Sequence, residues 1–247
     1  MNTILITGCS SGFGLETARY FVDRDWTVIA TMRKPNPDVL PPSDRLRILP
    51  LDVTDAASIA RVVDEAGPID VLVNNAGVGL LNAVEGVSLD QAREVFETNT
   101  LGTIAMTRAF LPQFRERRAG VIVNVTSSVT LRPLHLLSVY TASKAAVNAF
   151  TESMALELEP FGVRARLVLP GQAPATAFGA NARARMGMNI PEAYADVAAQ
   201  VFAGFENWGD VTHPADVAEA VWRAATDPSC PMRLPAGADA VAWARAG

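Results

Sequence analysis

Short runs of apolar and β-branched residues alternate along the chain with longer amphipathic segments. We predict strands at 3–7, 27–31, 46–51, 70–76, 120–127 and 163–170, with a short segment at 232–235. We predict helices at 13–24, 55–66, 88–118, 139–160 and 214–227. Because the strands are apolar at nearly every position, both of their faces should be buried, as in a parallel sheet covered by helices. The pattern therefore predicts an α/β fold with a doubly wound parallel sheet of about seven strands.

The chain has no internal repeat and no Gly/Ser-rich linker, so we predict a single domain over 1–247. The proline cluster at 35–42 is typical of a surface loop between the second and third strands. After Pro170 the alternation stops, and we expect the alanine-rich segment 172–209 to form a mobile helical cover. Its larger apolar side chains are Phe178, Met186, Met188, Tyr194, Phe202, Phe205 and Trp208.

Composition excludes several classes of protein. Hydrophobic residues make up 49% of the chain and charged residues 19%, which indicates a compact globule. With a net charge of −5 the chain offers no basic surface, and we predict no nucleic-acid partner. The sequence shows no signal peptide and no apolar stretch of membrane-spanning length, so we expect a soluble cytoplasmic protein without a membrane partner. Two cysteines and two histidines are too few for a disulfide framework or a structural metal site.

A glycine-rich loop, TGCSSGFG at 7–14, joins the first predicted strand to the first predicted helix. Glycines permit a tight turn and a close approach of the backbone, and the N–H groups that begin a helix can bind a pyrophosphate. An ordinary glycine-rich turn is the alternative. The position between a strand and a helix, at the start of an α/β chain, favours dinucleotide binding.

The sequence YTASK places Tyr140 and Lys144 four residues apart within a predicted helix. That spacing puts the two side chains on one face, one turn apart. Taken alone, the pair is typical of a lysine that extends over a half-buried tyrosine.

The spacing TGxxxGxG resembles the glycine fingerprint of the short-chain dehydrogenase/reductase family. Other motifs similar to that family follow in its order, and they are NNAG at 74–77, Asn99, NVTS at 124–127, YTASK at 140–144 and PG at 170–171. The resemblance spans nearly the whole chain and implies a Rossmann-type fold. The segments ATMR and RLPAGADA are similar to the branch that holds 17β-hydroxysteroid and retinol dehydrogenase-like enzymes.

The resemblance implies a catalytic role for four residues. Tyr140 would be the general acid/base, and the positive charge of Lys144 would lower the pKa of the phenol while its ammonium binds the nicotinamide ribose. Ser127 would hold the substrate oxygen, with Ser128 as the second choice, and a hydroxyl that caps a turn is the alternative for either. Asn99 would anchor a water leading to Lys144, and its alternative is a helix residue bonded to backbone.

The end of the second strand bears on the choice of cofactor. NAD-binding members of such folds carry an acidic residue there, whereas this chain has Met32, followed by Arg33 and Lys34. Arg33 could bind a 2′-phosphate, and Ser10 or Ser11 could add a hydroxyl, although a solvated basic turn is the alternative. We therefore predict NADP(H).

Further cofactor contacts are implied by the resemblance. Asp52 is expected near the adenine amino group, or else at the entry to the following helix. Asn74 and Asn75 are expected to bond the fourth strand to its neighbours. Ala76 and Gly77 would leave room for the adenosine half. The full predicted cofactor-binding set is Thr7, Gly8, Ser10, Ser11, Gly12, Phe13, Gly14, Arg33, Asp52, Val53, Asn75, Ala76, Gly77, Tyr140, Lys144, Pro170 and Gly171.

The predicted substrate pocket is mostly apolar, and with the cover at 172–209 it would accept a hydrophobic secondary alcohol or ketone. Its predicted lining includes Val78, Val129, Leu134, Leu137 and Gln172. The family usually places a threonine five residues after the PG proline, but here Thr176 stands six after Pro170. Either the loop bulges by one residue or the nicotinamide carboxamide is held differently.

The function implied is an NADP(H)-dependent oxidoreductase that interconverts such an alcohol and its ketone. A catalytically silent NADP-binding sensor, and an epimerase or dehydratase that passes through a keto intermediate, are the alternatives. The long apolar faces predicted at 88–118 and 139–160 favour a homodimer or homotetramer.

Overall fold

The computed structural model describes residues 2–186, 190–204 and 209–246. Seven strands form one sheet in the order β3-β2-β1-β4-β5-β6-β7, and every neighbouring pair is parallel. They are β1 (Thr3–Thr7), β2 (Thr27–Met32), β3 (Leu46–Pro50), β4 (Val71–Asn74), β5 (Gly120–Val125), β6 (Val163–Pro170) and β7 (Arg233–Ala236). The predicted parallel α/β sheet is confirmed.

The helices cover both faces of the sheet. They are α1 (Gly12–Val22), α2 (Ala56–Ala66), α3 (Leu89–Phe96), α4 (Gly102–Arg117), α5 (Ser138–Leu158), α6 (Phe178–Met186), α7 (Ala195–Gly204), α8 (Pro214–Thr226) and α9 (Ala238–Ala246). The predicted segment 88–118 is α3 and α4 joined by a π-helical turn at Glu97–Leu101. The helix α9 follows the last strand and was not predicted.

Alternation within each strand builds two cores. In β1, Ile4 and Ile6 face one core with Phe21 of α1 and Val221 of α8, whereas Leu5 faces the other core, which α2, α4 and α5 also line. Most positions of the central strands are therefore apolar, as two-sided burial requires, with Asn74 and Asn124 as buried polar exceptions.

The order of the strands positions a crevice. The chain adds β2 and β3 on one side of β1 and then β4 to β7 on the other, so the connections diverge at the carboxyl ends of β1 and β4. Open parallel sheets bind ligands at such a point.

The proline-rich connection between β2 and β3 is a loop, as predicted. It contains one short 3₁₀ turn, Pro37–Val39, in which the Asn36 side chain accepts a hydrogen bond from the Asp38 N–H. In the predicted cover, Met188, Phe205 and Trp208 lie outside the described residues, as does the side chain of Met186. Among the residues that the structure describes, every helix is too short or too polar to cross a membrane.

Candidate active site

A cleft of about 1220 Å³ opens at the carboxyl ends of the strands. It runs from the glycine loop and Arg33, past Asp52, to Ser127 and Tyr140. All of the predicted site residues line it except Thr7, Gly14 and Asn99, which lie directly behind the lining. The structure thus brings the other predicted site residues together at one cleft, and these three residues need a separate account.

The glycines of the loop are required by its geometry. Gly8 and Gly12 adopt φ angles of 77° and 60°, which side chains other than hydrogen disfavour. A Cβ on Gly14 would lie 2.4 Å from the carbonyl oxygen of Gly8, so the start of α1 can approach the loop only with glycine there. The loop thus leaves bare backbone facing the cleft at the N-terminus of α1, which is a geometry suited to a phosphate.

Thr7 and Asn75 fasten the loop to the end of β4. The Thr7 hydroxyl accepts hydrogen bonds from the N–H groups of Asn75 and Ala76, at 3.0 and 2.9 Å. The Asn75 amide donates to the carbonyl oxygens of Thr7 and Gly8, at 2.9 and 3.2 Å. Thr7 therefore shapes the cleft from behind and does not line it.

Asn74 joins the fourth strand to the fifth inside the core. Its amide donates to Asn124 Oδ1 at 2.8 Å and to the Thr107 hydroxyl at 3.1 Å. The amide of Asn124 donates in turn to Thr151 on α5 at 2.7 Å. The prediction that Asn74 and Asn75 bond β4 to its neighbours is confirmed.

Tyr140 is buried on the face of α5 that borders the cleft, with 6% of its surface exposed. Burial raises the pKa of Tyr140 to about 12, against the opposing effect of a hydrogen bond with the Ser127 side chain. Burial therefore outweighs the other influences on the phenol in the described structure, and the expectation that Lys144 lowers this pKa stays a prediction.

Lys144 is also buried, with 5% of its surface exposed. Its ammonium donates to the carbonyl oxygen of Val125 at 3.0 Å, and burial lowers its pKa to about 8. Both Lys144 Nζ and Asn99 Oδ1 would lie 3.2 Å from a Cβ placed on Gly77, so the two polar groups converge on that glycine. Gly77 borders the cleft at the same point.

Asn99 lies beneath the cleft, in the π-helical turn. Its side-chain oxygen accepts from the Val78 N–H at 2.8 Å, while its amide donates to the Val78 carbonyl and the Ser143 hydroxyl at 2.9 and 3.0 Å. These bonds fix Val78, which lines the cleft, to α5 through Ser143. The geometry therefore matches the alternative in which Asn99 is a helix residue bonded to backbone. A water that is anchored by Asn99 and leads to Lys144 stays a prediction.

The far end of the cleft carries the residues predicted for the adenosine half. Arg33 is exposed and lines the cleft, and the neighbouring Met32 is 3% exposed and presents no carboxylate. Asp52 Oδ1 accepts from the N–H and the hydroxyl of Thr54, and these bonds, more than the charge of Arg33, lower the pKa of the Asp52 carboxyl. Asp52 lines the cleft but does not cap α2, because Asp55 does.

Helix α6 covers the end of the cleft that Tyr140 borders. The Phe178 ring lies 5.7 Å from the Tyr140 ring, centroid to centroid. A Cβ on Gly79 would lie 2.8 Å from Ala182 Cβ, so α6 packs directly on that glycine. At the end of α6, Arg185 pairs with Glu94 of α3 at 3.2 Å. The predicted cover consists of a loop followed by α6 and α7 where it is described, and its mobility stays a prediction.

Comparison with known proteins decides the family. A model of the short chain dehydrogenase family matches residues 2–187. The chain belongs to this family. A 3-ketodihydrosphingosine reductase from Bacteroides thetaiotaomicron is 38% identical over 172 residues, covering 68% of this chain and 62% of that protein. Retinol dehydrogenase 8 from Bos taurus is 40% identical over 183 residues, covering 68% of this chain and 58% of that protein. The matched region thus spans less than two thirds of either relative.

A solved structure is similar over nearly the whole chain. The closed form of a serine dehydrogenase complexed with NADP⁺ superposes with a TM-score of 0.82 at 31% identity, covering 95% of this chain and 94% of that one. The resemblance inferred from the motifs is confirmed as family membership.

Thr176, which departs from the usual short-chain dehydrogenase spacing, lies against the glycine loop. A Cβ on Gly12 would be 3.4 Å from Thr176 Cβ. The Thr176 hydroxyl donates to the carbonyl oxygen of Ala173 at 2.9 Å. The side chain therefore reaches the cleft despite the extra residue, with its hydroxyl proton directed back to its own loop.

Sequence reasoning missed one element of this short-chain dehydrogenase. Trp243 on α9 lines the cleft, and the guanidinium of Arg132 lies 5.2 Å from its ring centroid. The available signal was RLPAGADA, a segment that resembles the family but has no clear helical pattern. Nothing within that segment indicates contact with a cleft formed mostly by residues from the first 185 positions of the chain.

Proposed function

We propose that the protein is an NADP(H)-dependent oxidoreductase that interconverts a hydrophobic secondary alcohol and its ketone. The observation that carries the proposal is the placement of the Tyr140 phenol, which is buried at the cleft and hydrogen-bonded with Ser127, one helical turn from Lys144. A binding module has no need of an acid/base pair in this position, so this placement favours an enzyme over a silent sensor.

The residues present fit a nicotinamide dinucleotide. The glycine loop exposes backbone at the N-terminus of α1. Next to the loop, the small residues Ala76 and Gly77 leave space in the cleft. Arg33 and Asp52 would hold the adenosine half, while Lys144, Pro170 and Gly171 would border the nicotinamide half. When bound, the cofactor supplies or accepts the hydride.

Tyr140 would move the proton. In reduction it would donate its phenolic proton to the substrate oxygen, and in oxidation it would accept the hydroxyl proton, while Ser127 holds that oxygen. With a pKa of about 12 the phenol carries its proton at neutral pH and can act as a donor without a prior ionisation step.

The choice of NADP(H) rests on the end of β2. A buried methionine and an exposed arginine stand there, so no carboxylate opposes a 2′-phosphate and a guanidinium is available to bind it. Ser10 and Ser11 are exposed on the same rim of the cleft and could add hydroxyl contacts. The similar serine dehydrogenase complexed with NADP⁺ is consistent with this choice.

A hydrophobic substrate is favoured by the lining near Tyr140. Val78, Val129, Leu134 and Leu137 border the cleft there, and Phe178 covers it. Two relatives carry names that refer to 3-ketodihydrosphingosine and to retinol, and both of these molecules are largely apolar. A ketone with an apolar body satisfies such a wall without leaving polar groups unpaired.

Reduction of a panel of hydrophobic ketones by NADPH tests the proposal, with wild type and Tyr140→Phe compared. We expect turnover by the wild type and loss of turnover in the variant, with NADPH binding retained. Binding without turnover of any ketone would instead support the sensor. Conversion of substrate without net consumption of NADPH would support an epimerase or dehydratase.

We further propose that residues 1–247 form one cytoplasmic domain, that segment 172–209 covers the substrate, and that the chain forms a homodimer or homotetramer. Exposed leucines support the assembly, since Leu101, at the end of the π-helical turn before α4, is 49% exposed and Leu156 of α5 is 73% exposed. A monomer in sedimentation at micromolar concentration would contradict it.

A further inference from the structure

A buried carboxylate reaches the cleft from the C-terminal helix. Asp239 lies in the first turn of α9 and is 5% exposed. Its Oδ2 accepts from the N–H of Gln172 at 2.6 Å, and its Oδ1 accepts from the Thr212 hydroxyl at 2.7 Å. The bond to Gln172 spans 67 positions of sequence.

Thr212 completes the arrangement. Its hydroxyl oxygen accepts from the N–H of Gly171 at 2.9 Å and lies 2.8 Å from the carbonyl oxygen of Ala236. Its backbone N–H donates to the carbonyl oxygen of Gln172 at 2.7 Å. Two consecutive N–H groups, those of Gly171 and Gln172, are therefore held by groups outside strand β6.

These bonds determine where the chain goes after β6. The strand ends at Pro170, and Gly171 and Gln172 line the cleft directly afterwards. A Cβ on Gly171 would lie 2.1 Å from Asp239 Oδ2, so the carboxylate presses against the glycine backbone and requires a glycine there. The path of this wall is thus set by a contact with α9.

The chemistry of the contact points to a positioning role. Burying a carboxylate costs more than burying an apolar side chain of the same size, and no ion pair within the described residues involves Asp239. Its charge is satisfied by hydrogen-bond donors that belong to or support the wall of the cleft. One turn further along α9, Trp243 lines the same cleft.

We propose that Asp239, acting with Thr212, is a positioning residue that holds Gly171 and Gln172 in the place where the nicotinamide half of the cofactor binds. The proposal rests on the proposed function, because it assumes a nicotinamide dinucleotide in the cleft. It assigns to α9 a role at the cleft that the family motifs do not include.

The test compares the binding of the whole cofactor with the binding of its adenosine half alone. Asp239→Ala removes both acceptor oxygens, so that neither the Gln172 N–H nor the Thr212 hydroxyl keeps its bond to α9. We expect the dissociation constant for NADPH to rise about tenfold, while that for 2′,5′-ADP, which lacks the nicotinamide, stays unchanged. Nicotinamide fluorescence gives the first constant, and calorimetry or competition gives the second.

Matched variants guard against a loss of folding. Thr212→Val removes the hydroxyl and should raise the dissociation constant for NADPH by a similar factor. Thr212→Ser retains the hydroxyl and should bind NADPH as the wild type does. Asp216→Asn is the control, because Asp216 accepts from the His213 N–H at the exposed start of α8 and does not line the cleft. It should leave both dissociation constants unchanged.

Each result decides the question. Equal weakening of NADPH and 2′,5′-ADP binding in Asp239→Ala and Thr212→Val would show a general structural role and overturn the proposal, as would unchanged NADPH binding in both. Failure of the wild type to bind NADPH or NADH would instead overturn the proposed function, and this proposal with it.

Discussion

The ammonium of Lys144 donates a hydrogen bond to the carbonyl oxygen of Val125 across 3.0 Å, at the end of the strand that leads to Ser127. A backbone carbonyl is a dipole and not a counter-charge, so it offsets only part of the cost of burying the ammonium. Burial accordingly lowers the pKa of Lys144 from its ordinary 10.5 to about 8. The residue proposed for the active site therefore lowers the stability of the fold that holds it.

This cost predicts that Lys144→Met stabilises the protein at neutral pH. Because the unfolded chain binds the lysine proton more tightly, the folded state is penalised fully below pH 8, and the penalty fades as the pH rises towards 10.5. At about 1.4 kcal/mol per pKa unit the penalty is about 3 kcal/mol, less what the lost bond to Val125 contributed. We expect a gain of about 1–3 kcal/mol at pH 7 that shrinks towards pH 10, measured by urea unfolding.

The other lysine of the chain provides a control. Lys34 is exposed, and Lys34→Met should leave the free energy of unfolding nearly unchanged at every pH. A difference between wild type and Lys144→Met that stayed constant from pH 7 to pH 10 would show that burial of the charged ammonium is not the cause of the gain.

Arg33→Ala should separate the two nicotinamide cofactors. Charge-assisted hydrogen bonds contribute about 1.5–3 kcal/mol, so we expect the dissociation constant for NADPH to rise about 10- to 100-fold while that for NADH changes little. A titration followed by nicotinamide fluorescence measures both. Lys34→Ala, which changes a neighbouring cation outside the lining of the cleft, should have a much smaller effect. Equal losses for the two cofactors would mean that Arg33 does not bind a 2′-phosphate.

Local signals explain why so much of the fold and of the site was predictable. Each central strand is mostly apolar and is followed by a short polar motif, which begins at Asn74 in β4 and reaches Ser127 just after β5. In a parallel sheet these ends all lie at one edge, so motifs far apart in sequence must meet. The glycine loop and the Tyr140–Lys144 pair carry their own geometric signals at fixed short spacings.

The features that were missed depend on contacts between distant residues. Asp239 reaches Gln172 from a helix whose small, alanine-rich sequence gives a weak pattern, and that contact exists only once β6 and β7 have paired. In the π-helical turn, the Asn99 side chain bonds to Val78 and Ser143, and no local propensity encodes these contacts. The pKa of Tyr140 depends on its total burial, which the spacing of YTASK does not reveal.

Phe178→Ala should weaken the binding of substrate and not of cofactor. The ring covers the Tyr140 side of the cleft and is 38% exposed, so its removal forfeits part of the roughly 1.5–3 kcal/mol that a buried apolar side chain contributes. We expect KM for a bulky hydrophobic ketone to rise about tenfold with the NADPH dissociation constant unchanged. Leu89→Ala removes an exposed apolar side chain that does not line the cleft and should change neither constant. An unchanged KM in Phe178→Ala would place the substrate elsewhere in the cleft.

The hydrogen bond between Asn74 and Asn124 should contribute a coupling energy to the free energy of unfolding, in addition to what each residue contributes separately. Replacing Asn124 by Val leaves the Asn74 amide with Thr107 alone and deprives Thr151 of a donor, inside a core where water cannot substitute. We expect Asn124→Val to cost about 2–4 kcal/mol in the free energy of unfolding.

A double-mutant cycle tests the coupling. Once Asn74→Ala has removed the partner, Asn124→Val should cost about 1 kcal/mol less than it does alone, the scale of direct coupling between bonded residues. Urea midpoints of the wild type, the two single variants and the double variant give this coupling energy. If the two costs simply added, the bond across β4 and β5 would contribute nothing of its own, and the polar pair would be tolerated in the core without stabilising it.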